Sequence, residues 1–202
     1  RMHGGAITLA NQFLEKGEKY DLILVTDMID LALFKSLISE KYNDTPITLY
    51  FHENQLCYPW SETDRDVQKN RDSHYAFINF SSALVADKVF FNSHFHKNAF
   101  LGALPNFLKG FPDYNELDSI KKIEKKSEVL YLGMDLKKFD KYKTEQNEKP
   151  LILWNHRWEY DKNPIDFFKA LYVLQEKNLD FKVVILGENF RKIPEEFEIA
   201  KE

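Results

Sequence analysis

Arg157 and Lys162 stand in the segment Leu151–Pro164, LILWNHRWEYDKNP, where their surroundings suit phosphate chemistry. Four apolar residues ending at Trp154 read as a short buried strand. A polar turn then carries the two cations, and Asn163-Pro164 opens a helix. Open α/β sheets hold their ligands where a strand ends in such a turn. An arginine forks two phosphate oxygens, a lysine adds a point charge, and a helix N-terminus favours an anion. The segment therefore points to a nucleotide or sugar nucleotide, against the plainer reading of two solvated loop charges.

A second group follows the run ITLYF. Its last residue, Phe51, leads straight into His52, Glu53, Asn54 and Gln55, and then into Cys57-Tyr58-Pro59-Trp60. Four consecutive hydrogen-bonding side chains beside aromatics at a strand end predict a ligand lining, with His52 and Glu53 foremost. The plainer reading is a turn in which Asn54 shapes the backbone and a carbonyl satisfies His52. Asn92-Ser93 follows KVFF; Ser93 reads first as a helix N-cap, and secondly as a presenter of backbone N–H groups to an anion. Gly187-Glu188 ends FKVVIL, the glycine allowing close backbone approach or a tight turn, the glutamate reading equally as a loop acid. Gly4-Gly5 resembles half of a phosphate loop but lacks the strand that should precede one.

Two apparent metal motifs are set aside. His94 and His96 point apart on a helix, where neighbours are three or four residues away. Asp64-Arg65-Asp66 spells a metal-diphosphate motif but follows Ser61-Glu62-Thr63 rather than a strand, so acids at a helix N-terminus explain it. No metal site is expected.

The elements that must position these residues alternate. Strands are expected at Leu22–Thr26, Ile47–Phe51, Lys88–Phe91, Glu128–Leu132, Leu151–Trp154 and Phe181–Leu186, each apolar enough to be covered on both faces. Helices are expected near Ala6–Lys16, Asp30–Lys41, Val67–Ala86, His94–Leu101 and Pro164–Lys177, with Gly102–Asp118 an irregular surface excursion. This order means right-handed βαβ units and a parallel sheet. The stretch Lys137–Lys149, charged and without an aliphatic residue, reads as a linker between a domain over 1–136 and the start of another over 150–202.

Composition bounds the rest. The 202 residues, 44% hydrophobic and 15% aromatic, suffice for a packed core, and a net charge of −4 gives no global pull toward nucleic acid. Cys57 is the single cysteine, so no intrachain disulfide forms and a reducing, cytoplasmic setting is expected. No apolar run is long enough to cross a bilayer. An opening at Arg1 and a close in mid-pattern at Glu202 read as an interior piece of a longer protein.

These residues resemble a known superfamily, the retaining GT-B glycosyltransferases, whose two Rossmann-like domains face each other across a cleft. There the first strand of the second domain ends in an arginine followed five residues later by a lysine, and the pair clamps the donor diphosphate; Arg157 and Lys162 match that spacing. VLYLGMDLKKF (Val129–Phe139), with Gly133, Asp135 and Phe139 in register, and ADKVFFNSHFHK (Ala86–Lys97) are similar to two further superfamily segments. RMHGGA, YFHENQLCYP, FNSHFHKNAF, NHRWEYDKNP and VILGENF together resemble, over nearly the whole chain, the tRNA-queuosine α-mannosyltransferase family and its bacterial relatives.

That resemblance implies transfer of mannose from GDP-mannose to queuosine in tRNA with retention, although bacterial relatives need not share the acceptor. It implies no metal or other cofactor beyond the nucleotide-sugar donor. It makes His52, Glu53, Arg157 and Lys162 catalytic, with Gly4, Gly5, Asn54, Gln55, Asn92, Ser93, Gly187 and Glu188 as further binding residues. It also places the superfamily's first strand before Arg1 and its paired glutamates beyond Glu202, so that this span alone is expected to be inactive. His156 stands where the superfamily usually has glycine, in line with the narrower family. The rival reading is a non-catalytic α/β module that binds a nucleotide or RNA, in which Lys121–Lys126 and Lys137–Lys143 contact phosphates; their interleaved acids favour solvated faces instead.

Overall fold

A computed structural model describes residues 4–58, 72–145, 147–188 and 193–200. The chain divides into two compact units, Arg1–Met134 and Asp135–Glu202. Both are α/β with parallel sheets, as the alternation predicts.

The first unit runs α1 (Gly5–Lys16), β1 (Ile23–Thr26), α2 (Leu31–Tyr42), β2 (Ile47–Phe51), α3 (Asp72–Val85), β3 (Lys88–Phe91), α4 (His94–Lys109), α5 (Asp118–Lys125) and β4 (Ser127–Val129). Its four strands lie in the order β1-β2-β3-β4. All are parallel, with Thr26 opposite Tyr50, Tyr50 opposite Phe90 and Phe91 opposite Val129. A common direction brings the carboxyl ends of β1, β2 and β3 to one rim, which is where the unit's polar candidates sit.

All five residues of β2 are buried, as befits a strand that lies between two neighbours with both faces covered. The two edge strands depart from the expectation of two covered faces. Leu24, on the edge strand β1, is exposed, and beyond β4 the chain leaves the sheet with Leu130, Tyr131 and Leu132 exposed. The core gathers around Phe51, whose ring stacks on Phe91 at 4.9 Å and packs against Phe100 at 4.9 Å.

The irregular excursion expected over Gly102–Asp118 is corrected. The helix that opens at His94 continues through Gly102 and Pro105 to Lys109. His96, Phe100, Leu104 and Leu108, four residues apart, are all buried along one stripe, and that burial outweighs the hydrogen bond lost at proline. Helix α5 is hidden in a lysine-rich segment because only Ser119 and Ile123 are fully buried, with Ile120 partly so. The expected helix over Val67–Ala86 is described from Asp72 onward; its first residues, like Asp64-Arg65-Asp66, lie outside the described residues.

The second unit holds an exposed 3-10 segment (Leu136–Tyr142), β5 (Leu151–Asn155), a short 3-10 turn (Tyr160–Lys162), α6 (Pro164–Glu176), β6 (Lys182–Leu186) and α7 (Glu195–Ile199). Strands β5 and β6 pair in parallel, Trp154 opposite Ile185. One sheet face, with Ile152, Trp154 and Ile185, packs on Phe168, Leu171 and Phe197. The other face, with Leu151, Leu153, Val184 and Leu186, is exposed, so these strands too are covered on one side only. Among the described residues no helix is long and apolar enough to cross a membrane.

Because Phe91 is fully buried against Phe51 and Phe100, Phe91→Ala should cost the first unit about 3–5 kcal/mol, read from urea unfolding.

Candidate functional site

At the rim of the first unit, Asp27, His52 and Asn92 each follow directly on a strand. Parallel pairing leaves backbone groups there without ladder partners, and side chains take them up. Asp27, 2% exposed, accepts the His52 N–H at 2.8 Å through Oδ1. Its carbonyl accepts Asn79 Nδ2 at 3.0 Å, and Asn79 Oδ1 accepts the Gln55 N–H at 2.8 Å. Asn92 Nδ2 donates to the His52 carbonyl at 2.9 Å. The peptide groups on either side of His52 are thus pinned to both neighbouring strand ends.

Asn54 and Ser93 take the plainer roles considered for them. Asn54 Oδ1 accepts the N–H groups of Leu56 (3.1 Å) and Cys57 (3.0 Å), closing an Asx turn. Ser93 Oγ caps α4 by accepting the His96 N–H at 3.1 Å. Both still line, with His52, Glu53, Asn92 and His96, an open cavity of about 350 Å³. Gln55 donates from Nε2 to Glu53 Oε1 at 3.3 Å. Gly4 and Gly5 lie at the start of α1, and a Cβ at either would meet nothing within 4 Å.

Sequence reasoning missed two buried polar groups here. Asp27 follows LILVT as an unremarkable acid, yet burial raises its carboxyl above the usual range, offset by the N–H groups of His52, Asp27 and Glu53. The sequence offers His96 only as half of an apparent metal pair. Its Nδ1 lies 3.0 Å from Asn92 Oδ1, and the Asn92 amide is oriented by the bond from Nδ2 to His52. Nδ1 therefore carries the proton, Nε2 is a lone-pair acceptor, and that Nε2 is buried with no hydrogen-bond partner. Burial lowers the imidazole pKa, with the Asp27 charge opposing, which favours the neutral ring. His94 instead meets Tyr131 edge to face at 6.3 Å.

In the second unit the turn after β5 brings Arg157 and Lys162 onto one carboxylate. Asp161 Oδ2 lies 2.9 Å from Lys162 Nζ and 3.8 Å from Arg157 Nη2, while Glu159 Oε2 lies 3.0 Å from Arg157 Nη1. Asn163, in the left-handed region at φ 54°, caps α6 with Pro164 at its first position. The end of β6 closes on the same turn: Trp158 donates from its backbone to the Glu188 carbonyl at 3.1 Å and from Nε1 to Leu186 at 3.4 Å. Gly187 has φ 115°, and a Cβ there would stand 2.1 Å from the His156 carbonyl oxygen. The close approach expected of this glycine is to the turn's own backbone. A larger apolar cavity of about 560 Å³, lined by Phe168, Leu171 and Phe197 among others, does not include the two cations.

The lysine-rich stretches carry their own acids. Lys121 pairs with Asp118, Lys138 with Asp135 and Lys143 with Asp140, all on exposed faces. Lys126 turns inward, donating to the carbonyls of Leu84 (2.7 Å) and Ala86, and burial lowers its pKa.

Two outcomes follow. Asp27 binds its proton more tightly folded than unfolded, so it subtracts stability as pH rises from about 4 through its raised folded pKa. Asp27→Asn keeps an acceptor for His52 and removes that term; its melting temperature relative to wild type should climb between pH 4 and 7, whereas a constant difference would contradict the assignment. Gly187→Ala should cost the second unit more than about 1 kcal/mol in thermal unfolding, since neither the φ nor the carbonyl leaves room for Cβ.

Comparisons with known proteins bear on the family. A family model described as tRNA-queuosine alpha-mannosyltransferase N-terminal matches residues 1–134. The chain is 42% identical over 163 residues to the tRNA-queuosine alpha-mannosyltransferase of Drosophila melanogaster, an alignment covering 76% of this chain and 42% of that protein. It thus spans less than half the length of this relative. The resemblance carried by FHENQ and its companion motifs is confirmed: the chain belongs to the tRNA-queuosine alpha-mannosyltransferase N-terminal family.

Proposed function

We propose that the protein carrying this chain is a retaining GT-B mannosyltransferase that moves mannose from GDP-mannose to queuosine in tRNA, in a cytoplasmic setting. The observation that carries the reading is the convergence of Arg157 and Lys162 on one point at the carboxyl end of β5, in a chain 42% identical to a protein of that named activity.

Cleavage of the sugar–phosphate bond leaves growing negative charge on the diphosphate. Arg157 would take it through its planar fork and Lys162 through a point charge, both held in place before the reaction begins. The site requires no other cofactor in this reading. The rim of the first unit would serve the sugar or the acceptor hydroxyl: His52 is fixed through its backbone by Asp27 and Asn92, leaving its ring at the cavity, and Glu53 supplies a carboxylate beside it. Retention follows from front-face attack, in which the departing diphosphate and the incoming hydroxyl share one side of the sugar. Exclusion of water during that step limits hydrolysis of the donor.

The decisive assay incubates the protein containing this chain with GDP-mannose and queuosine-containing tRNA. Mannose transfer supports the enzyme; nucleotide binding without turnover supports a binding module instead. Arg157→Ala should lower kcat by about 10²–10³, as loss of one preorganised charge-stabilising donor does. Wild-type turnover in that variant would remove Arg157 from the reaction.

A further inference from the structure

The two cations are not placed by the turn alone. Asp161 Oδ2 is shared between Lys162 Nζ at 2.9 Å and Arg157 Nη2 at 3.8 Å. The side chains are graded in depth: Asp161 is 7% exposed, Glu159 27%, Lys162 31% and Arg157 48%. Asp161 is much the deepest of the four, and both cations that share its carboxylate are more exposed than it is. Asp161 Oδ1 is also buried without a hydrogen-bond partner. A half-satisfied buried carboxylate costs stability, and packing alone gives no reason to keep one.

We propose that Asp161 is a positioning residue: an internal counter-anion that holds Arg157 and Lys162 convergent before a diphosphate arrives. Two cations aimed at one point repel each other, and without a negative charge under them they splay into solvent. With the carboxylate between them, their mutual repulsion is offset and both are held at one point. Charge and position both matter, because an acid at the surface would compete with the ligand instead of supporting its partners. Asp161 itself does not touch the diphosphate; it acts through the two residues that do. This rests on the clamp reading given above.

The test is calorimetric titration of the protein containing this chain with inorganic pyrophosphate, a probe that needs neither sugar nor acceptor. The wild-type protein should bind, and Arg157→Ala should abolish binding. Asp161→Asn should weaken it by about tenfold, as loss of a group that orients a ligand's direct partners does. Asp161→Glu, which restores the charge, should stay within about threefold of wild type. Unchanged or tighter binding in Asp161→Asn overturns the role of Asp161 and leaves the clamp standing. No binding by wild type, or indifference to Arg157→Ala, overturns the clamp and the role of Asp161 together. If Asp161→Asn does not fold, Asp161→Glu decides: near-wild-type affinity supports the proposal, and a loss as complete as that of Arg157→Ala overturns it.

Discussion

Parallel, in-register pairing of β1, β2 and β3 is the constraint on which the first unit's rim depends. It forces three strand ends, and therefore Asp27, His52 and Asn92, into adjacent positions. It also leaves backbone groups at those ends that the ladder cannot satisfy. Side chains from neighbouring ends satisfy them, Asp27 from one side and Asn92 from the other. The cost is a buried carboxyl and a buried imidazole, whose pKa values burial moves in opposite directions. His52 gains a backbone that cannot drift, and so a ring presented reproducibly at the cavity.

The second unit meets a different problem, the crowding of like charge. Arg157 and Lys162 are five residues apart and joined by a turn that contains two acids, Glu159 and Asp161. Counted as formal charges the cluster is neutral, which by itself argues against an anion site. Depth changes that conclusion, because Asp161 lies almost wholly beneath the surface while the cations reach it. The latch of Gly187 and Trp158 onto the same turn ties the neighbouring strand end to the cluster and keeps the turn from relaxing.

Much of this was legible in the sequence for definite reasons. Apolar runs such as ITLYF and KVFF announce strands, and Ile47–Phe51 and Lys88–Phe91 fall where expected. Polar clusters following such runs mark the rim, which is why His52, Glu53, Asn54, Asn92 and Ser93 were found and do share one cavity. What stayed hidden has equally definite causes. Proline at 105 and glycine at 102 read as breakers, whereas the buried stripe from His96 to Leu108 overrides them. Asp27 and His96 give no signal because burial of a lone acid or histidine depends on neighbours distant in sequence, here Asn79 for Asp27 and Phe51 for His96. Asp161 is silent in the sequence for a similar reason: an acid between two cations looks like ordinary charge balance until its depth is known.

The central claim is that Arg157 and Lys162 hold the donor's diphosphate. A crystal structure of the protein containing this chain, soaked or grown with GDP, tests it most directly. The account predicts diphosphate oxygens within hydrogen-bond distance of the Arg157 guanidinium and of Lys162 Nζ, with Asp161 still beneath them. A diphosphate bound elsewhere, with Arg157 and Lys162 remaining on Glu159 and Asp161, would contradict it.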